Sequence, residues 1–426
     1  MRTAIAFLLL GISNNVTFCI VLAIAKDIEN GGVGVVFLAL QLPALLIKTT
    51  GPTWMHLLGY RTRTIVQATA ASSGLMLIAL STFVEDDMKR LAIQLLGVSL
   101  CSVQNAVGEP SYLALSSVCL RPASALAAWS TGTGLAGLLG FAWVMLLKML
   151  SLSLLRVCLL SLVFPAQLLV SFFFILPSQT HGYASAEIEE SQTRDETAAE
   201  VSETTPDEKD ECEDESATNI LISSPRDNPE ESLLVSSEDL APTKFHPLQR
   251  FKFAMSLWRF MIPLFLVYLA EYNMQSGAWS AIGFPLDDES ARNQFYRTSN
   301  IMYQCGVFVS RSCGQFFTIN LYVLWVVPLL QFLLLAFFIV NALFEFWYDW
   351  SLLSMCFVSG LFGGTVYFHG FSLLSKTTEH ARKELAMSSV SMASDIGVTI
   401  ADFTGILVQV SHPPDAMGVM SSRAAS

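Results

Sequence analysis

Apolar stretches of about 20 residues recur along the chain, separated by short polar breaks. A hydrocarbon core about 30 Å thick takes about 20 apolar residues per helical crossing. The pattern predicts spans over 4–25, 32–56, 64–84, 91–119, 124–148 and 152–176. After a long polar interval it predicts five more, over 255–281, 299–319, 321–346, 351–375 and 386–411. The fold expected is an all-α polytopic membrane protein of about 11 transmembrane helices. It divides into an N-terminal six-helix bundle (1–177), an acidic cytosolic linker (178–250) and a C-terminal five-helix bundle (251–426). The first stretch runs through Asn14-Asn15 to Ile24 without a small-residue cleavage site, so it reads as a retained helix and not a signal peptide.

Composition sharpens this picture. Only 14% of the residues are charged and 53% are hydrophobic, against roughly 25% charged in an average soluble domain. The net charge of −12 is local: residues 178–250 hold 19 acids and 5 bases, a net of −14, which leaves +2 for everything else. With no basic patch, nucleic acid is not an expected partner. The eight cysteines are scattered, which excludes a disulfide-stapled secreted domain. The linker is rich in Glu, Ser, Thr and Pro and is expected to be disordered. Within it, Leu221, Ile222, Leu233 and Leu234 beside acids resemble dileucine signals for sorting adaptors. A cytosolic N-terminus gives the cytosolic helix ends 12 Lys and Arg against 7 on the other side, and eleven spans then place the C-terminus in the lumen.

Ionisable residues inside spans carry the functional signal, because hydrocarbon penalises them by about 3 kcal/mol or more unless they face a cavity. Glu109 lies between Gly108 and Pro110, where a loosened or broken helix would free carbonyls around the carboxylate. Glu271 follows Tyr268 by three residues, so the phenol is placed to cap the acid. Asp395 and Asp402 share a face of the last helix, Asp402 being interfacial if that span ends early. Lys48, deep in the second span, either pairs with one of these acids or snorkels to the interface. Arg311, at the cytosolic end of the eighth span, either locks a gate across the bundle or only sets topology. His369 is either a sensor of luminal acid or a satisfied core residue. Gly132, Gly134, Gly137 and Gly140 suit close helix packing better than nucleotide binding, since no βαβ unit precedes them.

Several blocks together resemble the battenin family, the Batten-disease membrane protein and its fungal relatives. They are Leu9-Leu10-Gly11-Ile12-Ser13-Asn14-Asn15, the Ser130–Gly140 glycine run, Tyr268-Leu269-Ala270-Glu271-Tyr272, Tyr303-Gln304-Cys305-Gly306, Ser310-Arg311-Ser312, Glu384-Leu385-Ala386-Met387 and Ser394-Asp395. The resemblance implies a fold similar to the major facilitator superfamily, in lysosomal, late endosomal or vacuolar membrane. It also implies a solute transporter supporting luminal pH and solute balance, moving a basic amino acid such as arginine or a glycerophosphodiester. Glu109, Glu271, Asp395, Lys48, Arg311, Tyr268 and Gln304 are the candidates for contact with solute or protons. The other reading is a non-transporting scaffold that regulates trafficking or a proton pump through the acidic linker. No zinc-ligand spacing and no nucleophile motif is present, so neither enzyme activity, metal nor cofactor is expected.

Overall fold

The structure, a computed structural model, describes residues 1–28, 34–119, 121–177, 247–279, 282, 289–379 and 382–411. In lipid every backbone N–H and C=O must be satisfied within the segment, which leaves helices as the way for such apolar stretches to fold. The first bundle comprises α1 (Arg2–Ile28), α2 (Gly34–Trp54), α3 (Tyr60–Ser81), α4 (Asp87–Val118), α5 (Pro122–Met149) and α6 (Leu154–Ile175). The second comprises α7 (Trp258–Ala278), α8 (Glu289–Cys313), α9 (Leu321–Phe344), α10 (Leu353–Thr377) and α11 (Lys383–Ser411). Asp86 starts α4 by accepting the Lys89 N–H at 3.1 Å, a bond that holds its carboxyl below the usual range.

These eleven helices coincide in position with the eleven predicted stretches, with three corrections. Among the described residues, eight helices are long and apolar enough to cross a membrane on their own, or nine if α7 is joined to the helix before it. The expected span at 299–319 is α8, which begins at Glu289 and stops at Cys313. Its buried Ser299, Asn300, Ser310 and Arg311 point into the bundle and dilute its apolar signal. The linker boundary also moves. Residues 247–250 form the first turn of a short helix, Pro247–Ser256, and a bend of 68° separates this region from α7. The rest of the linker, with Leu221, Ile222, Leu233 and Leu234, and the tail at 412–426 lie outside the described residues. Finally, α4 is not broken at Glu109. It continues through Pro110, and π-helical turns lie instead at the end of α6 (Ser171–Ile175) and in α7, whose Met274–Ala278 segment is beside Glu271.

Helix contacts repeat with a shift of six. In the first bundle α1 packs on α5, α2 on α4 and α3 on α4; in the second α7 packs on α11, α8 on α10 and α9 on α10. The bundles meet along α5 with α8 and along α2 with α11, pairs that the same shift exchanges. Glycines set the closest approaches. Gly132 and Gly140 face α1, where an added Cβ would meet the Leu8 carbonyl and the Cys19 Cβ; Gly134 and Gly137 face α8, against Phe308 and Gln304. Gly132→Ala is therefore expected to force α1 and α5 apart and cost about 1–3 kcal/mol. Thermal unfolding in detergent should show a lower Tm for Gly132→Ala and an unchanged one for Gly277→Ala, where a Cβ meets nothing within 4 Å.

Candidate functional site: a charged cavity between the bundles

Three helices bring their ionisable residues together inside the bundle. Counting 1.5 Å per residue, Lys48 lies about 9 Å from the end of α2, Glu109 about 14 Å from the end of α4, and Asp395 about 18 Å from the start of α11. There the Lys48 ammonium contacts Glu109 Oε2 at 2.5 Å and Asp395 Oδ2 at 2.6 Å. Lys48 is 1% exposed, so it does not snorkel; it is a shared counter-ion. The carboxylates are secured further. Tyr367 donates its hydroxyl to Glu109 Oε1 at 2.8 Å, and Gln41 donates Nε2 to Asp395 Oδ1 at 2.8 Å. A desolvated charge is tolerable only when paired and hydrogen-bonded in this way.

Arg311 is arranged differently. It leaves the end of α8 and turns inward, buried, donating Nη1 to Thr133 Oγ1 at 2.7 Å and Nη2 to the Tyr268 hydroxyl at 3.3 Å. Its guanidinium lies 3.8 Å from the Tyr367 ring centroid. All three contacts are neutral, and its Nε has no hydrogen-bond partner. Arg311 is thus more than a topology marker at a helix end. Tyr268 turns to this guanidinium and stacks its ring on Tyr272, with centroids 6.1 Å apart, instead of capping Glu271. Glu271 itself is 1% exposed, and its Oε2, facing Gly363, has no hydrogen-bond partner.

Glu109, Asp395, Gln41, Arg311, Thr133, Tyr268, Tyr272 and Glu271 line a cavity between the bundles, together with Asn15, Asn105, Tyr303 and Gln304, with about 730 Å³ of empty space counting the open solvent at its mouth. Lys48, Asp402 and His369 are not among the residues that line it. Asp402 is 1% exposed with an unpartnered Oδ1, so its carboxyl is buried within the protein. His369 packs between the Phe317 and Phe368 rings, each centroid 5.0 Å away.

Among the described residues, the charged latches between the bundles outside the cavity lie on one side of it. Toward the end where α3 and α11 begin, Arg63 donates both terminal nitrogens to Glu384 Oε1 at 3.0 Å, and Lys383 donates to the Ser117 carbonyl at 3.3 Å. From sequence, Arg63 counts only among the twelve cytosolic cations that set orientation, Thr133 only as part of the glycine run, and Gln41 and Tyr367 have no role. A polar residue in an apolar span was the available signal for Gln41; nothing in sequence singles out the others.

The family model described as CLN3 protein matches residues 5–412. Protein btn1 of Aspergillus fumigatus is 33% identical over 423 residues, covering 96% of this chain and 88% of the relative. Protein btn-1 of Neurospora crassa is 32% identical over 424 residues, covering 95% and 87%. Battenin of Canis lupus familiaris is 30% identical over 437 residues, covering 94% and 89%. Among solved structures, the human organic anion transporter MFSD10 (TETRAN) superposes with a TM-score of 0.59 over 95% of this chain and 92% of that one, at 13% identity. The fold is therefore similar to that of this transporter, and the chain is a multi-pass membrane protein that belongs to the CLN3 (battenin) family.

Proposed function

We propose that the protein is a solute transporter of lysosomal, late endosomal or vacuolar membrane, and that its solute is a small organic phosphate of the glycerophosphodiester class. One observation carries this choice over arginine. The cavity holds a guanidinium with neutral partners and a free Nε donor, while the nearby buried cation Lys48 is already taken up by two acids that line it. A guanidinium fork matches a phosphate oxygen pair, and the amides and phenols around it suit the hydroxyls of a glycerol. With the N-terminus cytosolic, the latch at Arg63 and Glu384 closes the cytosolic side, and the cavity serves solute arriving from the lumen. Proton-coupled flux through it supports luminal pH and solute balance.

Full-length protein in liposomes tests this directly. Wild type is expected to move radiolabelled glycerophosphocholine under a proton gradient, and Arg311→Gln to lose at least about 100-fold of that flux, the worth of a charge-assisted pair of hydrogen bonds. Arg311→Lys should retain part of it, keeping charge without the fork. Arginine flux without glycerophosphodiester flux would overturn the assignment.

A further inference from the structure

A second site lies outside the central cavity, on the seam between α5 and α8. The seam is tight near the cavity, where Thr133 meets Arg311 and Gly134 and Gly137 meet Phe308 and Gln304. Farther from the latched end the helices part. An apolar groove of about 720 Å³ of empty space opens between Phe141, Val144 and Met145 of α5 and Ile301 of α8. It faces out of the bundle, because its wall residues Met145 and Met149 are 52% and 73% exposed. Two cations stand at its mouth, Lys148 and Arg297. Lys148 is shared with Asp27. Arg297 is exposed, and no ion pair to it occurs among the described residues.

We infer that this groove holds one anionic phospholipid of the surrounding leaflet, with its phosphate on Arg297 and Lys148 and an acyl chain between α5 and α8. Charge complementarity selects an anionic occupant: Asp27 offsets Lys148, which leaves the Arg297 charge for a phosphodiester. The apolar walls select a lipid over a soluble phosphate. They extend from Lys148 to Phe141, about 10 Å along α5, a slot that water fills poorly and a hydrocarbon chain fills well. The lipid belongs to the state in which α5 and α8 are parted at this end, since closing the seam there would expel the chain. It therefore biases the transporter toward the conformation described here.

Native mass spectrometry of the full-length protein, titrated with phosphatidylglycerol or phosphatidylcholine of matched chains, tests the inference. One phosphatidylglycerol should bind wild type at least about tenfold more tightly than phosphatidylcholine and raise the Tm more. Arg297→Gln, at an exposed position, should fold normally and lose that preference. Ile301→Trp, which fills the groove, should lose binding of both lipids at this site. Glycerophosphoglycerol, the same head without chains, should not compete at equal concentration. Equal binding of the two lipids by wild type, undiminished phosphatidylglycerol binding by Arg297→Gln, or full competition by the chainless head would each overturn it.

Discussion

Lys48→Met is expected to be the most damaging single change in the cavity. It removes the one cation that two buried carboxylates share, leaving Glu109 and Asp395 facing each other at contact distance from a vacated centre. Removing one partner of a buried ion pair typically costs about 3–5 kcal/mol, because the remaining charge stays desolvated. Here two charges remain, and they repel. The variant should accumulate poorly, elute as aggregate in size-exclusion chromatography, or show a Tm lower by many degrees. The triple variant Lys48→Met, Glu109→Gln, Asp395→Asn should recover most of the stability, since it strands no charge, while remaining without transport. A single variant with wild-type Tm would show that the three groups do not act as a unit.

Glu271→Gln should act on function and spare the fold. Of the three cavity acids, Glu109 and Asp395 are held by Lys48, while Glu271 has a free oxygen and no ion pair among the described residues. It is thus the acid free to exchange a proton with the cavity and to attract or release Arg311 as it does so. The amide keeps the shape and the neutral hydrogen-bonding capacity of the protonated acid, so expression and Tm should match wild type. Flux measured across a series of luminal pH values should lose its pH dependence. Glu271→Lys should be worse, because a cation would then join Arg311 and Lys48 in a cavity that holds only two remaining acids. It is expected to misfold or fail to accumulate. Wild-type pH dependence in Glu271→Gln would make the acid structural.

The spans, the two bundles' helices and the candidate acids were legible because hydrocarbon punishes every exception: a Glu in an apolar run announces itself. Pairing was not legible. Lys48 reaches Glu109 across 61 residues, Gln41 reaches Asp395 across 354, and Arg63 reaches Glu384 across 321. No local periodicity encodes such partners, since they are set by which helices the glycines let approach. Gly108-Glu109-Pro110 misled in the other direction. It looks like a break, yet α4 is packed on α3 and α2 and continues through the proline, so tertiary contact outweighs local propensity. The π turn in α7 had no sequence signal at all.

The six-helix shift in the packing has a chemical consequence. It maps α2 onto α8, so Lys48 and Arg311 are counterparts, each a cation near the same end of its helix. It maps α11 onto α5 and α4 onto α10, so the partners of Lys48, Asp395 and Glu109, fall on the helices that supply Arg311 with Thr133 and Tyr367. One arrangement has thus been filled twice. In one copy carboxylates quench the cation; in the other a hydroxyl and an aromatic ring hold it without neutralising it. On the proposed reading, the anion affinity of the cavity rests on this inequality between near-equivalent halves, a hole in the charge pattern of one repeat that a travelling phosphate would fill and then vacate.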